Sequence, residues 1–93
     1  MSEPGVLESL PDRSMKRSEV EELGESDAVD WVAVLRTGNG PRRNMVNAWI
    51  IETSGTAHVL LYELDGWVSQ GSFDPDGLTA DEKLERGEDV LDF

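Results

Sequence analysis

Apolar positions gather in four runs in the middle of the chain: AVDWVAVLRT (28–37), MVNAWIIET (45–53), AHVLLYEL (57–64) and WVSQGSF (67–73). Each is rich in β-branched or aromatic residues and bounded by turn formers, the signature of strands. The links are short. Ser54-Gly55 and Asp65-Gly66 are two-residue hairpin signals, and Asp-Gly is the stronger because a type I′ turn takes positive φ at both central residues. Strands joined so tightly pair antiparallel, so the pattern predicts a four-stranded meander in sequential order. Two-residue loops set Glu52 opposite Ala57, Ile50 opposite Val59, Trp49 opposite Leu60, Leu64 opposite Trp67 and Tyr62 opposite Ser69.

Alternation along these strands assigns Met45, Trp49, Ile51, His58, Leu60, Tyr62, Leu64, Trp67 and Phe73 to one sheet face. Val46, Ala48, Ile50, Val59, Leu61 and Val68 fall on the other. Both faces are apolar in the middle strands, whereas an antiparallel sheet ordinarily leaves one to water. Something must cover each side.

The flanks offer two covers. In residues 1–27, a polar, helix-leaning arm, Val6, Leu7 and Leu10 can form one apolar turn before Pro11. Ser18 and Glu21 then fit a capping box ahead of Val20 and Leu23, with Gly24 as the stop. Two apolar residues cannot hold a helix in water, so this helix must dock. In 74–93, Thr79 and Glu82 form a second capping box and Gly87 a stop. The EDVLDF tail (88–93) reads as an edge strand on the first strand run, or as a peptide for strand addition to another protein. If that tail is free instead, a homodimer or a protein partner covers the second face. The expected architecture is one α+β domain over 1–93: a four-stranded antiparallel meander (28–73) with short N-terminal and C-terminal helices packed on it.

Composition narrows the class. At 93 residues, the chain buries only about 60–65% of its unfolded surface, so the core is thin. It has no cysteine, hence no disulfide framework or thiol chemistry. Its apolar runs, such as VLLY (59–62), are far short of the ~20 residues that span a bilayer. The N-terminus lacks a secretory pattern, so the expected compartment is the cytoplasm, with no membrane partner. Twenty acids face eight bases, six of them arginine, for a formal net charge of −12. Such a surface repels itself in dilute buffer, and molar salt removes most of that repulsion by cutting the Debye length to ~3 Å. In this acidic, lysine-poor composition the chain resembles the small uncharacterised cytoplasmic proteins of haloarchaea. The resemblance is one of composition over the whole chain and implies a halophilic setting, not an activity. Nucleic acid is an unlikely partner for the same reason, since phosphate neutralisation needs clustered Lys and Arg.

Four features bear on chemistry. TGNGPRRNMV (37–46) holds Gly38, Gly40 and the only adjacent arginine pair, Arg42-Arg43. Glycine-rich backbone with two guanidiniums can clamp a phosphate or carboxylate, but a phosphate loop leads from strand to helix, and here a strand follows. An exposed hairpin tip, with Gly38, Asn39 and Gly40 at positive φ, is the favoured reading. DPDGLTADEKLE (74–85) has acids at the first, third and twelfth positions of a calcium loop. It lacks the required central glycine, so it reads as a turn into a helix, and no metal or other cofactor is expected. His58, the only histidine, has no nucleophile or acid set around it, which favours a non-enzymatic protein. With the first loop centred near Gly40, Trp31 faces Trp49, on the face that also carries Tyr62 and Trp67. These form either a core cluster or, with Phe93, a platform for a partner. Two functions remain: a protein-interaction or self-associating module, and a small-ligand or anion-binding domain, possibly part of an enzyme, using the Gly38–Arg43 loop.

Overall fold

The computed structural model describes residues 10, 13, 15–64 and 66–91. It runs β1 (Met15–Lys16), α1 (Arg17–Gly24), β2 (Trp31–Thr37), β3 (Met45–Thr53), β4 (Thr56–Glu63), β5 (Gly66–Phe73) and α2 (Ala80–Leu91). β2 to β5 form the expected antiparallel meander, and β1 adds a fifth strand by pairing Met15 with Val46 and Lys16 with Met45. The fold is α+β in three layers. α1 lies over Val46, Trp49, Ile51 and Leu60, into which it buries Val20; Met15 is buried in the same cluster. α2 covers Ala48, Ile50, Ala57 and Val59 with Leu84, Val90 and Leu91. The ends of the chain therefore cover both apolar faces.

The β3–β4 hairpin follows turn chemistry closely. Glu52 pairs with Ala57, Ile50 with Val59 and Trp49 with Leu60. Ser54 and Gly55 take φ of +56° and +78°, the doubly positive geometry of a type I′ turn.

Elsewhere the observed register differs from the expected one. Trp49 pairs with Val34, and Trp31 with Glu52, so the Trp31–Trp49 pair does not form. The slip is odd-numbered, which sends Trp31 to the other face, under α2. Leu35 on β2 and Asn47 on β3 are skipped in the pairing. The extra residue at 47 turns Val46 to the α1 face, opposite to expectation. Between β4 and β5, Tyr62 pairs with Trp67 and Leu60 with Ser69, not Leu64 with Trp67 and Tyr62 with Ser69. Leu64 itself occupies the turn, at φ +52°. Gln70 is then skipped, and this bulge turns Phe73 to the α2 side.

The helices also differ in detail. α1 starts two residues earlier than Ser18 predicts, because the Glu19 carboxylate accepts the Lys16 amide at 2.9 Å. Arg13 donates to both oxygens of that carboxylate, at 3.1 and 2.7 Å. These bonds hold the Glu19 carboxyl at about 2, below its ordinary 4.5, the Arg13 hydrogen bond being the largest cause. A depressed carboxyl stabilises the fold above its ordinary value and loses that contribution as pH falls toward the folded value. The difference in urea midpoint between the native chain and Glu19→Gln should therefore be full above about pH 5 and close by about pH 2.

At α2 the Thr79–Glu82 capping box forms in both directions: the Thr79 amide donates to Glu82 at 2.9 Å and the Glu82 amide to Thr79 Oγ1 at 3.2 Å. Gly87 does not stop this helix. It is buried in its middle, and a Cβ there would overlap Ile50 Cδ1 and lie 3.2 Å from Leu35 Cδ1. The glycine lets the helix lie close on the sheet. Residues 88–91 are helical, so that part of EDVLDF is neither edge strand nor free peptide. Val6, Leu7, Asp65 and Phe93 fall outside the described residues.

Candidate functional site

Two surfaces emerge once the elements are placed. The first is the outer edge of β2. Its inner edge bonds β3, and no described residue pairs with the other. Trp31 to Leu35 are half-buried beneath the flanking helices, while Arg36 is exposed and meets Glu88 of α2 at 3.5 Å. A seven-residue apolar strand with one free edge is a ready template for another strand.

The second surface is basic. Residues 31–51 contain Arg36, Arg42 and Arg43 and no acid, and residues 13–18 contain Arg13, Lys16 and Arg17 and no acid. Six of the eight cations thus lie in two acid-free stretches. The structure ties them together: Lys16 pairs with Met45, and the Arg17 amide donates to the Asn44 carbonyl at 2.9 Å. Lys16, Arg17, Arg42 and Arg43 are all exposed around Asn44. A concavity of about 300 Å³ opens between Lys16, Arg17, Ser18, Glu21 and Asn44. The signal for this surface was the run of sequence without carboxylates; the partner stretch was not recognisable because a two-residue strand leaves no periodicity.

The Gly38–Arg43 loop is the exposed tip of the β2–β3 hairpin and closes in a short 3-10 turn over Gly40–Arg42. Only Gly40 takes positive φ there, at +57°; Asn39 lies at −106°. Gly38 serves close packing, since a Cβ there would meet the Arg42 Cβ and carbonyl at 2.8 Å. The backbone bonds Gly38 to the Met45 carbonyl and Arg43 to the Gly40 carbonyl, which fixes where Arg42 and Arg43 begin.

The aromatic residues do not form one platform. Trp49 is fully buried and meets Trp67 edge-on, with centroids 6.2 Å apart at 86°. Tyr62 packs on Trp67 at 5.3 Å, and the Trp67 indole N–H donates to the Arg13 carbonyl at 3.1 Å. Beside them Leu64 is 94% exposed at the hairpin turn. Trp31, on the opposite face, has the Lys83 ammonium 4.8 Å from its ring centroid. Lys83 also donates to Glu52 at 2.7 Å, with both side chains only 16% exposed.

The Asp76 amide donates to the Asp74 carboxylate at 3.0 Å, a local turn before α2. No trio of His, Cys, Asp or Glu suited to a metal ion occurs among the described residues. His58 sits in mid-strand opposite Ile51 and Ser72. No helix among the described residues is long and apolar enough to cross a membrane.

These features define a small α+β domain in which a meander sheet lies between two terminal helices and leaves one apolar edge free of described partners. Over residues 6–93 the chain matches the model of a domain of unknown function, DUF7964, and it belongs to that family. No curated protein and no solved structure matches it.

Proposed function

We propose that this protein is a non-enzymatic interaction module of a halophilic cytoplasm, and that it self-associates by joining β2 to β2 of a second copy. One observation carries the reading: β2 is a seven-residue, half-buried, apolar edge strand whose outer edge is paired with no described strand. Its charge favours a second copy. Two chains of net charge −12 repel, but β2 carries one arginine and no carboxylate, so an edge-to-edge approach keeps the strands' own acids out of the contact. An antiparallel β2–β2 contact is isologous and closes as a dimer, continuing the sheet without leaving a new edge at the join. Salt supports the same geometry, because molar KCl screens the acids outside the contact.

Sedimentation across a concentration series in molar KCl tests it. The expected result is a monomer–dimer equilibrium that weakens in dilute buffer, with slowed amide exchange in β2 at high concentration. Arg36→Glu puts a carboxylate on the edge and should weaken dimerisation about tenfold, while Arg36→Ala, which only removes the exposed pair with Glu88, leaves it nearly unchanged. A chain that stays monomeric at high concentration with freely exchanging β2 amides overturns the proposal.

A further inference from the structure

We propose that the basic end around Asn44 binds the phosphoryl group of a small ligand. This site is separate from the β2 edge. Its basis is the convergence of cations in a chain that is otherwise strongly acidic: Lys16 and Arg17 from the β1–α1 junction, Arg42 and Arg43 from the 3-10 turn, drawn together by the β1–β3 pairing and by the Arg17 amide bond to Asn44. Among the described residues no ion pair is formed by Arg17, Arg42 or Arg43, whereas Arg13, Arg36 and Lys83 are each held by a carboxylate. Lys16 feels Glu19, whose carboxylate is already engaged by Arg13. Three exposed guanidiniums are thus available where carboxylates are abundant elsewhere.

The kind of anion follows from geometry and field. Three of the four cations are arginines, whose planar forks match phosphate oxygens in pairs. The concavity beside them, about 300 Å³, suits a small molecule, and Ser18 and Asn44 line it as neutral hydrogen-bonding groups. Glu21 lines it too. A doubly charged phosphoryl group concentrates its charge beside Lys16 and Arg17, which line the concavity, with Arg42 and Arg43 on the adjoining turn, so it tolerates that carboxylate better than a single carboxylate does. A long nucleic acid would have to run on over the acidic remainder of the surface. The site therefore favours a compact phosphate over a polymer.

Amide-resolved NMR titrations with pyrophosphate, ADP and a short oligothymidylate, each at constant ionic strength against sodium chloride, distinguish the sources. The expected result is a saturable shift of the Ser18, Arg42, Arg43 and Asn44 amides with pyrophosphate or ADP. The Arg42→Ala/Arg43→Ala pair should weaken it at least tenfold, and it keeps the fold because both side chains are exposed and the Cβ of residue 42 remains against Gly38. Glu21→Gln should tighten binding about threefold, as removal of a nearby like charge does, while Glu88→Gln on α2 leaves it unchanged. Shifts no larger than those from chloride, shifts insensitive to the arginine pair, equal tightening by both glutamine variants, or saturable binding of the oligonucleotide alone overturn the proposal.

Discussion

Gly87→Ala should destabilise the fold by about 2 kcal/mol, although alanine at a solvent-facing helix position would stabilise by about 1 kcal/mol. The reason is contact. Gly87 is buried where α2 crosses the sheet, and a Cβ would collide with Ile50 Cδ1, approach Ile50 Cγ1 to 3.0 Å and approach Leu35 Cδ1 to 3.2 Å. Ile50 is fully buried and has nowhere to swing, so helix and sheet must separate, which loosens Leu84, Val90 and Leu91 as well. For a domain of this size, the loss corresponds to a fall of about 10 °C in Tm. Calorimetry in molar KCl reads it. Ile50→Val removes the colliding methyl group, so Gly87→Ala/Ile50→Val should be more stable than Gly87→Ala alone. An equally stable or stabilised single variant would show that α2 does not lie against β3 at residue 87.

The second large effect lies at the same interface. Lys83→Met should cost about 2 kcal/mol, because it removes the ammonium from both Glu52 and the Trp31 ring and leaves a largely buried carboxylate without its partner. Adding Glu52→Gln removes the orphaned charge, and the double variant should recover most of the loss. A double-mutant cycle by urea denaturation gives the coupling directly. Near-additive losses would mean that the pair is an ordinary exposed contact, worth about 0–1 kcal/mol.

These two sites also show where sequence reasoning reaches its limit. Glycine at 87 reads as a helix stop, since glycine most often ends helices. Only the distance to Ile50, set by how α2 lies on the sheet, gives it the opposite role. Trp31 reads as a cross-strand partner of Trp49 when the loop is centred near Gly40. The slip is set at the loop itself, where Thr37 already pairs with Val46, and an odd slip moves a side chain across the sheet. Lys83 and Glu52 lie 31 positions apart, so no spacing rule couples them. The free β2 edge was legible only in part: the strand is plain in WVAVLRT, but placing the C-terminal tail beside it failed because residues 88–91 continue α2 and bury Leu91 in the core. At the basic end, Arg42 and Arg43 stand out in the chain, whereas Lys16 and Arg17 join them only through the two-residue strand β1.

The sequence by itself determined the meander, its order, the β3–β4 turn and register, the Thr79–Glu82 cap and the need to cover two apolar faces. Each of these follows from alternation, turn conformation or capping, interactions within a few residues that the tertiary context does not overrule. The tertiary structure decided which helix covers which face, the side on which Trp31, Val46 and Phe73 lie, the role of Gly87 and the meeting of two basic stretches. Those outcomes depend on bulges and on close packing between distant segments, where one inserted residue or one missing methyl group reverses the result.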